Sequence, residues 1–233
     1  QMKDFRRGLQ DGIPIAMGYV PVSFTFGLMA VSVGMTWWQA LLISVMNLTS
    51  AGQFAGLDIM AASGAYMEMA LTEFIINLRY ALMSLSLSQK LDRSMTLPHR
   101  FAISYGITDE IFGVASSRKG EVGKWYFYGL ISLPFIGWQA GTLFGALLGG
   151  VLPAMVSDVL GIAIYGMFLA IILPQAREDA ACLKVILVAV AMSCCFRWIP
   201  VFRHVSSGFV IIICAVAASA LGAWLYPVKE EEG

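Results

Sequence analysis

Residues 12–57, 125–157, 159–176 and 204–228 contain no Asp, Glu, Lys or Arg. A membrane-spanning helix needs roughly 20 consecutive apolar residues, so each of these stretches is long enough, or nearly so, to cross a bilayer. Only 13% of the 233 residues are charged and 58% are hydrophobic, whereas a soluble domain usually carries about 25% charged residues. The expected fold class is therefore all-α: a polytopic integral membrane protein with interrupted or re-entrant helices.

The formal net charge is zero, and nothing in the balance of charges points to nucleic acid. Cys182, Cys194, Cys195 and Cys214 sit in apolar surroundings without a paired C-x-x-C spacing, so they read as small helix residues, with no metal or disulfide implied. The basic start, from Lys3 to Arg7, is followed by a full-length apolar span and not by a short apolar region with a small-residue cleavage site. It reads as a retained first helix beginning in the cytoplasm.

Along the chain, residues 13–34 form the first candidate span, with Asp11 as its N-cap and Pro21 inside it. Proline removes a backbone donor, so the spacing predicts a kink or unwinding from Met17 to Pro21. Residues 37–61 are apolar but interrupted by Asn47-Leu48-Thr49-Ser50-Ala51-Gly52-Gln53-Phe54. Ser50 and Gln53 have capping-box spacing, which predicts a new helix start. Its free N–H groups and partial positive charge would receive a carboxylate; the alternative is a patch of small residues used for packing.

The run 67–89 carries Glu73, Asn77 and Arg79. An ionised group at the centre of a bilayer costs roughly 2.5–3.5 kcal/mol on insertion scales, so Arg79 should face protein or an aqueous cavity. Helical spacing places Glu73, Asn77, Tyr80 and Ser84 on one face and Thr72, Arg79, Met83 and Ser86 on another. One face would line a path and the other hold Arg79 against a carboxylate, unless the pair serves only to fix helix register. Residues 101–117 form a short apolar segment containing Thr108-Asp109-Glu110; one carboxylate would pair with Arg79 and the other face a cavity, or both would sit at a helix end.

Gly129, Gly137, Gly141, Gly145 and Gly149 recur at multiples of four and form a close-packing stripe, for use inside the chain or against a partner. The last three spans fall at 158–176, 183–202 and 205–226. Basic connections follow at Arg6-Arg7, Lys90 to Arg100, Arg118-Lys119 with Lys124, and Arg177 with Lys184. The positive-inside rule would put them all in the cytoplasm, which requires 37–61 and 101–117 to be re-entrant. Phe26-Gly27 has an echo at Phe144-Gly145, which suggests repeat halves 12–117 and 125–226 within one transmembrane transporter domain, 1–233.

The ordered set Gly12-Ile13-Pro14, Gly18-Tyr19-Val20-Pro21, Phe26-Gly27, Ser50-Ala51-Gly52-Gln53-Phe54, Asn77-Leu78-Arg79-Tyr80 and Thr108-Asp109-Glu110 resembles the large subunit of the AzlC/YgaZ family of branched-chain amino-acid exporters, over nearly the full length. The resemblance implies a small AzlD/YgaH-type membrane partner, the bacterial inner membrane, and export of valine, leucine, isoleucine and sometimes methionine. It implies no cofactor, and no phosphate-binding loop is present to support ATP use. A zwitterion fits the inventory. Ser50, Ala51, Gly52, Gln53, Phe54, Asn77, Arg79, Tyr19 and Pro21 are candidate substrate-binding residues, with Phe24 and Met17 as walls. Glu73, Asp109 and Glu110 are the proton-coupling or ion-pair candidates. An enzyme is not expected, since His99 and His204 lie in connections and no hydrolase or zinc-protease motif appears. A passive channel or a carrier for another zwitterion remains open.

Overall fold

The computed structural model describes residues 1–148, 169, 173, 176–177, 179–202 and 205–226. Among these it contains nine α-helices and no strand: α1 (Met2–Ser32), α2 (Trp37–Met46), α3 (Ala51–Ala61), α4 (Tyr66–Ser88), α5 (Leu97–Ser104), α6 (Asp109–Ser117), α7 (Lys124–Leu148), α8 (Ala180–Trp198) and α9 (Ser207–Leu225). The span expected at 158–176, and Gly149 of the glycine stripe, lie almost wholly outside the described residues. Helices α1, α7, α8 and α9 are long and apolar enough to cross a membrane. The 23 residues of α4 would reach about 35 Å, also a full crossing, with Glu68, Glu73 and Arg79 inside it. The chain divides into two compact units, residues 1–54 with 77–164 and residues 55–76 with 165–233.

The first unit is built on α1 against α7. A Cβ on Gly8 would strike the backbone of Tyr126 and Leu130, and one on Gly27 that of Thr142 and Ala146; reciprocally, Gly129, Gly141 and Gly145 lie against the backbone at Phe5, Val20 and Phe24. Rising residue numbers on one helix meet rising numbers on the other, so the two run parallel. Lipid offers helices no hydrophobic reason to associate, and close backbone approach with its dispersion contacts supplies the attraction instead. The glycine stripe is therefore used inside the chain. Around it Phe26, Phe127, Leu130 and Trp138 are fully buried.

Two sequence expectations about α1 are corrected. The helix starts at Met2, so Asp11 lies within it and caps nothing; its carboxylate accepts from Tyr126 Oη at 2.7 Å. The backbone also stays α-helical through Pro14 and Pro21 without unwinding. The hydroxyl of Thr25 donates to the Pro21 carbonyl and that of Ser23 to the Tyr19 carbonyl, so side chains on this segment bond the helix they belong to.

Helix α2 ends at Met46 and α3 begins at Ala51, so the interruption expected in 37–61 is present. At 10 and 11 residues, each piece is only about 15 Å long, half a bilayer core. Gln53 Nε2 donates to Ser44 Oγ at 2.9 Å. Nine residues of straight helix would separate the two by about 13 Å, so the chain folds back on itself across the break. Ser44 meets Thr142 and Phe54 meets Phe26, putting both arms at the same level of the α1–α7 pair.

The break does not use the expected capping box. Ser50 adopts φ 50°, and the Gln53 side chain goes to Ser44 in place of the Ser50 N–H. A reciprocal arrangement of that spacing forms instead at the start of α2, where Gln39 Oε1 accepts the Thr36 N–H at 2.9 Å.

The segment 101–117 is likewise not one element. Helix α5 leaves the end of the unit where Lys124 meets His99, and a second break at residues 105–108 precedes α6, which returns to the same end. There Lys90 Nζ donates to the carbonyls of Ser116 and Arg118, and the backbone of Asp92 pairs with Val122. The connections 90–100 and 118–124 thus gather beside the N-terminal ends of α1 and α7.

In the second unit α8 and α9 pack antiparallel, with Gly222 against Val185 and Lys184 Nζ 5.2 Å from the Tyr226 ring centre. The buried Glu68 accepts the Gly208 N–H at 3.1 Å in the first turn of α9. All four cysteines are free thiols on α8 and α9.

Candidate functional site

Each folded-back pair has a tip of non-helical backbone, residues 47–50 between α2 and α3 and residues 105–108 between α5 and α6. Both tips lie in the first unit and border one cavity of about 150 Å³, lined by Met46, Asn47, Leu48, Thr49, Tyr80, Ser104, Tyr105 and Ile107. That is the space of about five waters, the scale of a small solute. Irregular backbone within a membrane is tolerated only where it is buried in protein or lines such a cavity.

Charged groups stand beside it. Thr108 is the N-cap of α6 and accepts the Ile111 N–H, which puts Asp109 and Glu110 in the first turn, where the helix dipole favours negative charge. Arg79 Nη1 meets Asp109 Oδ2 at 2.7 Å, and its Nη2 donates to Tyr80 Oη at 3.3 Å. Tyr80 Oη in turn donates to the Thr49 carbonyl at 3.4 Å, so one chain of contacts links the two tips through α4. Arg79 and Tyr80 thus act together, although helical spacing assigns them to different faces: the long side chain of Arg79 lies over the Tyr80 ring, 5.0 Å from its centre.

Tyr19, near the middle of α1, places its hydroxyl 2.6 Å from Glu110 Oε2 and 2.5 Å from Thr108 Oγ1. A phenol has one proton to give, and an ionised carboxylate can only accept. With Glu110 ionised, Tyr19 donates to it and Thr108 donates to Tyr19. Trp138 of α7 holds the ring from the side, its centre 5.1 Å away at 82°.

The remaining sequence candidates distribute unevenly. Gly52, Gln53 and Phe54 are buried in the first turn of α3, behind the tip, and neither they nor Ser50 and Ala51 line the cavity. Asn77 lies two residues before Arg79 on α4, and Glu73 belongs to the second unit, its Oε1 3.2 Å from where a Cβ on Gly56 would sit. Of the three carboxylate candidates, Asp109 is the one that meets Arg79 within the first unit. Pro21 is exposed and Met17 is 72% exposed, so neither walls the cavity, and Phe24 contacts Gly145 through its backbone. Sequence reasoning missed the break at residues 105–108. Its signal was Gly106 followed by Thr108-Asp109-Glu110, an N-cap and an acidic first turn. Among the described residues no group of three or more His, Cys, Asp or Glu side chains is placed to hold a metal ion.

The family model for the AzlC protein matches residues 14–152, which takes in α1 from Pro14 onward, α2 to α7 and both broken pairs. An uncharacterised membrane protein of Archaeoglobus fulgidus is 33% identical over 74% of this chain and 76% of its own length. The inner membrane protein YgaZ of Escherichia coli is 28% identical over 84% of both chains, and an uncharacterised membrane protein of Helicobacter pylori is 26% identical over 64% of this chain and 67% of its own. No solved structure matches.

Proposed function

The chain belongs to the AzlC family of membrane proteins, and from that premise we propose that it is the large subunit of an exporter for branched-chain amino acids, valine, leucine and isoleucine with methionine as a further substrate. The observation that carries this reading is the meeting of two broken helix pairs at a small cavity beside the ion pair of Arg79 and Asp109. A zwitterion brings one carboxylate and one ammonium. It can take Arg79 from Asp109 with the first and offer the second to Asp109, so both protein charges stay paired while the ligand is bound. Leu48, Met46, Ile107 and the ring of Tyr105 supply apolar wall for a branched side chain.

The basic connections collected at one end support a cytoplasmic placement of that end, in the inner membrane, with the N-terminus inside. Export then proceeds by alternating access: the tips part toward one face and then the other, and the linkage Thr49, Tyr80, Arg79, Asp109 breaks and reforms. The carboxylates of Asp109 and Glu110, with Glu73 as a further candidate, would exchange the coupling proton. A small AzlD/YgaH-type membrane subunit is the expected partner.

The test is efflux of labelled valine from cells loaded with a valine-containing dipeptide, with the chain and its small partner expressed together. Faster efflux than the empty vector supports export, and efflux at the vector rate rejects these substrates. A passive channel for small zwitterions is the second reading, favoured by the re-entrant geometry alone. Saturable uptake into proteoliposomes, inhibited by unlabelled leucine and responsive to an imposed pH gradient, would exclude it.

A further inference from the structure

At the end of the first unit where α5 and α7 begin, three side chains are joined so that each ring nitrogen of one of them has a fixed role. Lys124 Nζ lies 3.1 Å from His99 Nε2, and His99 Nδ1 lies 2.8 Å from Tyr128 Oη. An ammonium only donates, so Nε2 carries no proton and accepts from Lys124. A neutral imidazole keeps one N–H, so that proton sits on Nδ1 and is donated to Tyr128 Oη. The contact fastens the first turn of α5, which holds His99, to the first two turns of α7. The Tyr128 ring stands against the imidazole at 79°, with centres 5.8 Å apart.

A second proton on His99 breaks this clasp. Nε2 would become a donor facing the Lys124 donor, and two positive charges would stand at contact distance. The first turn of α5 is also the positive end of a helix dipole, which opposes a cation there. Among the described residues no carboxylate pairs with His99 or Lys124, and the neighbouring cation, Arg100, donates its Nε–H to the Met95 carbonyl. Lys124 has an alternative position. It lines a cavity of about 390 Å³ together with Arg118 and the carboxylates of Asp4, Asp92 and Glu121. Lys124 on a neutral His99, or Lys124 turned toward those carboxylates, are two arrangements of the kind that histidine protonation biases.

We propose that His99 and Lys124 form a proton-operated clasp at the base of α5, closed while His99 is neutral and released by acid on the aqueous side where the basic connections gather. Histidine is the side chain whose charge ordinarily changes between about pH 5 and 8. The sign follows from linkage. The released form binds one more proton than the clasped form, so falling pH favours release and rising pH closes the clasp. At its other end α5 leads to the tip where Ser104 and Tyr105 line the solute cavity, and Tyr105 meets Phe135 of α7 with ring centres 6.2 Å apart. Release at the base therefore frees one end of the arm that carries part of the cavity wall, while the tip contact stays.

The sequence has two histidines, so one substitution isolates the group. The experiment takes the purified full chain with nitrogen-15-labelled histidine and His204→Gln, in lipid nanodiscs, and reads the His99 ring nitrogens by magnetic resonance. At about pH 8 they should show the Nδ1–H tautomer, the opposite of the one free histidine prefers in water. The Nε2–H tautomer would remove the clasp, and this measurement needs no change at His99. The second readout is thiol labelling of Ile103→Cys, a buried position one turn beyond His99, in a background lacking the four native cysteines. His99→Gln serves as reference, because its amide can accept from Lys124 and donate to Tyr128 at every pH. Taking the labelling rate as a ratio to that reference at the same pH cancels the titration of the thiol itself. The ratio should be near one at about pH 8 and rise about tenfold or more by about pH 5.5, the scale of one lost hydrogen bond to a charged group. A ratio that stays near one across that range overturns the proposal. Valine efflux is not the readout, so failure of the clasp and failure of the export reading are separable.

Discussion

Arg79 and Asp109 meet at 2.7 Å across the gap between α4 and the first turn of α6, with 42% and 28% of their side chains still exposed. That exposure sets the scale. Partly solvated pairs are worth up to about 1 kcal/mol, too little to explain a cation in the middle of a long apolar helix by stability alone.

Replacing the pair therefore separates its two readings. Arg79→Ala should lower valine efflux about tenfold or more, equivalent to at least about 1.4 kcal/mol of lost stabilisation of the transport barrier. Combining it with Asp109→Ala removes the orphaned carboxylate and should return the melting temperature to near the starting value, while efflux stays low. Recovery of efflux along with stability would make the pair a register device only.

Tyr19→Phe keeps the ring against Trp138 and removes the hydroxyl that Glu110 and Thr108 share. One hydrogen bond to a charged group is worth about 1.5–3 kcal/mol. The variant should unfold more easily by about that much, and Thr108 should lose its fixed partner at the α6 tip. Melting of the purified protein together with valine efflux checks this; wild-type values for both would show that Tyr19 does not organise the tip.

Much of the organisation around these residues was legible. Polar residues clustered at 47–53 in an apolar run forecast a break, and the span from 67 to 89 forecast α4. What failed was local detail decided by distant contacts. Ser50 and Gln53 look like a capping box, but Gln53 finds Ser44 only because the chain folds back, and no periodic pattern shows that. Pro21 reads as a point of kinking or unwinding, yet α1 does not unwind there and stays helical against α7 along most of its length. The glycine spacing on α7 announced close packing, but its partner became visible only with Gly8, Gly12 and Gly27 facing it from α1.

That interlock makes a sharp steric prediction. A methyl group on Gly141 would lie 2.5 Å from the Val20 carbonyl oxygen, and one on Gly12 2.7 Å from that of Leu130, neither of which can move without displacing a helix. Gly141→Ala and Gly12→Ala should each destabilise by about 1–3 kcal/mol, the usual cost of overpacking. Gly18→Ala, with nothing within 4 Å of its added methyl, should be neutral or slightly stabilising, because alanine favours helix over glycine. Thermal melts of the three variants in one lipid preparation decide it; equal behaviour would mean that α1 and α7 do not pack along their glycines.

The folded-back pairs can be tested through the side of the membrane on which their flanks emerge. Because α1 and α7 run parallel and the connections 90–100 and 118–124 lie at their N-terminal ends, an impermeant thiol reagent should treat the two ends of the unit oppositely. In a background lacking the four native cysteines, Arg93→Cys and Lys119→Cys should react only when the reagent reaches the cytoplasm, and Ser32→Cys only from outside. Straight crossings through 37–61 and 101–117 would make a different forecast: Arg93 would emerge outside and Lys119 inside. Labelling of Arg93→Cys from outside would thus reject the fold-back of α2 on α3 and, with it, the meeting of the two tips at one cavity.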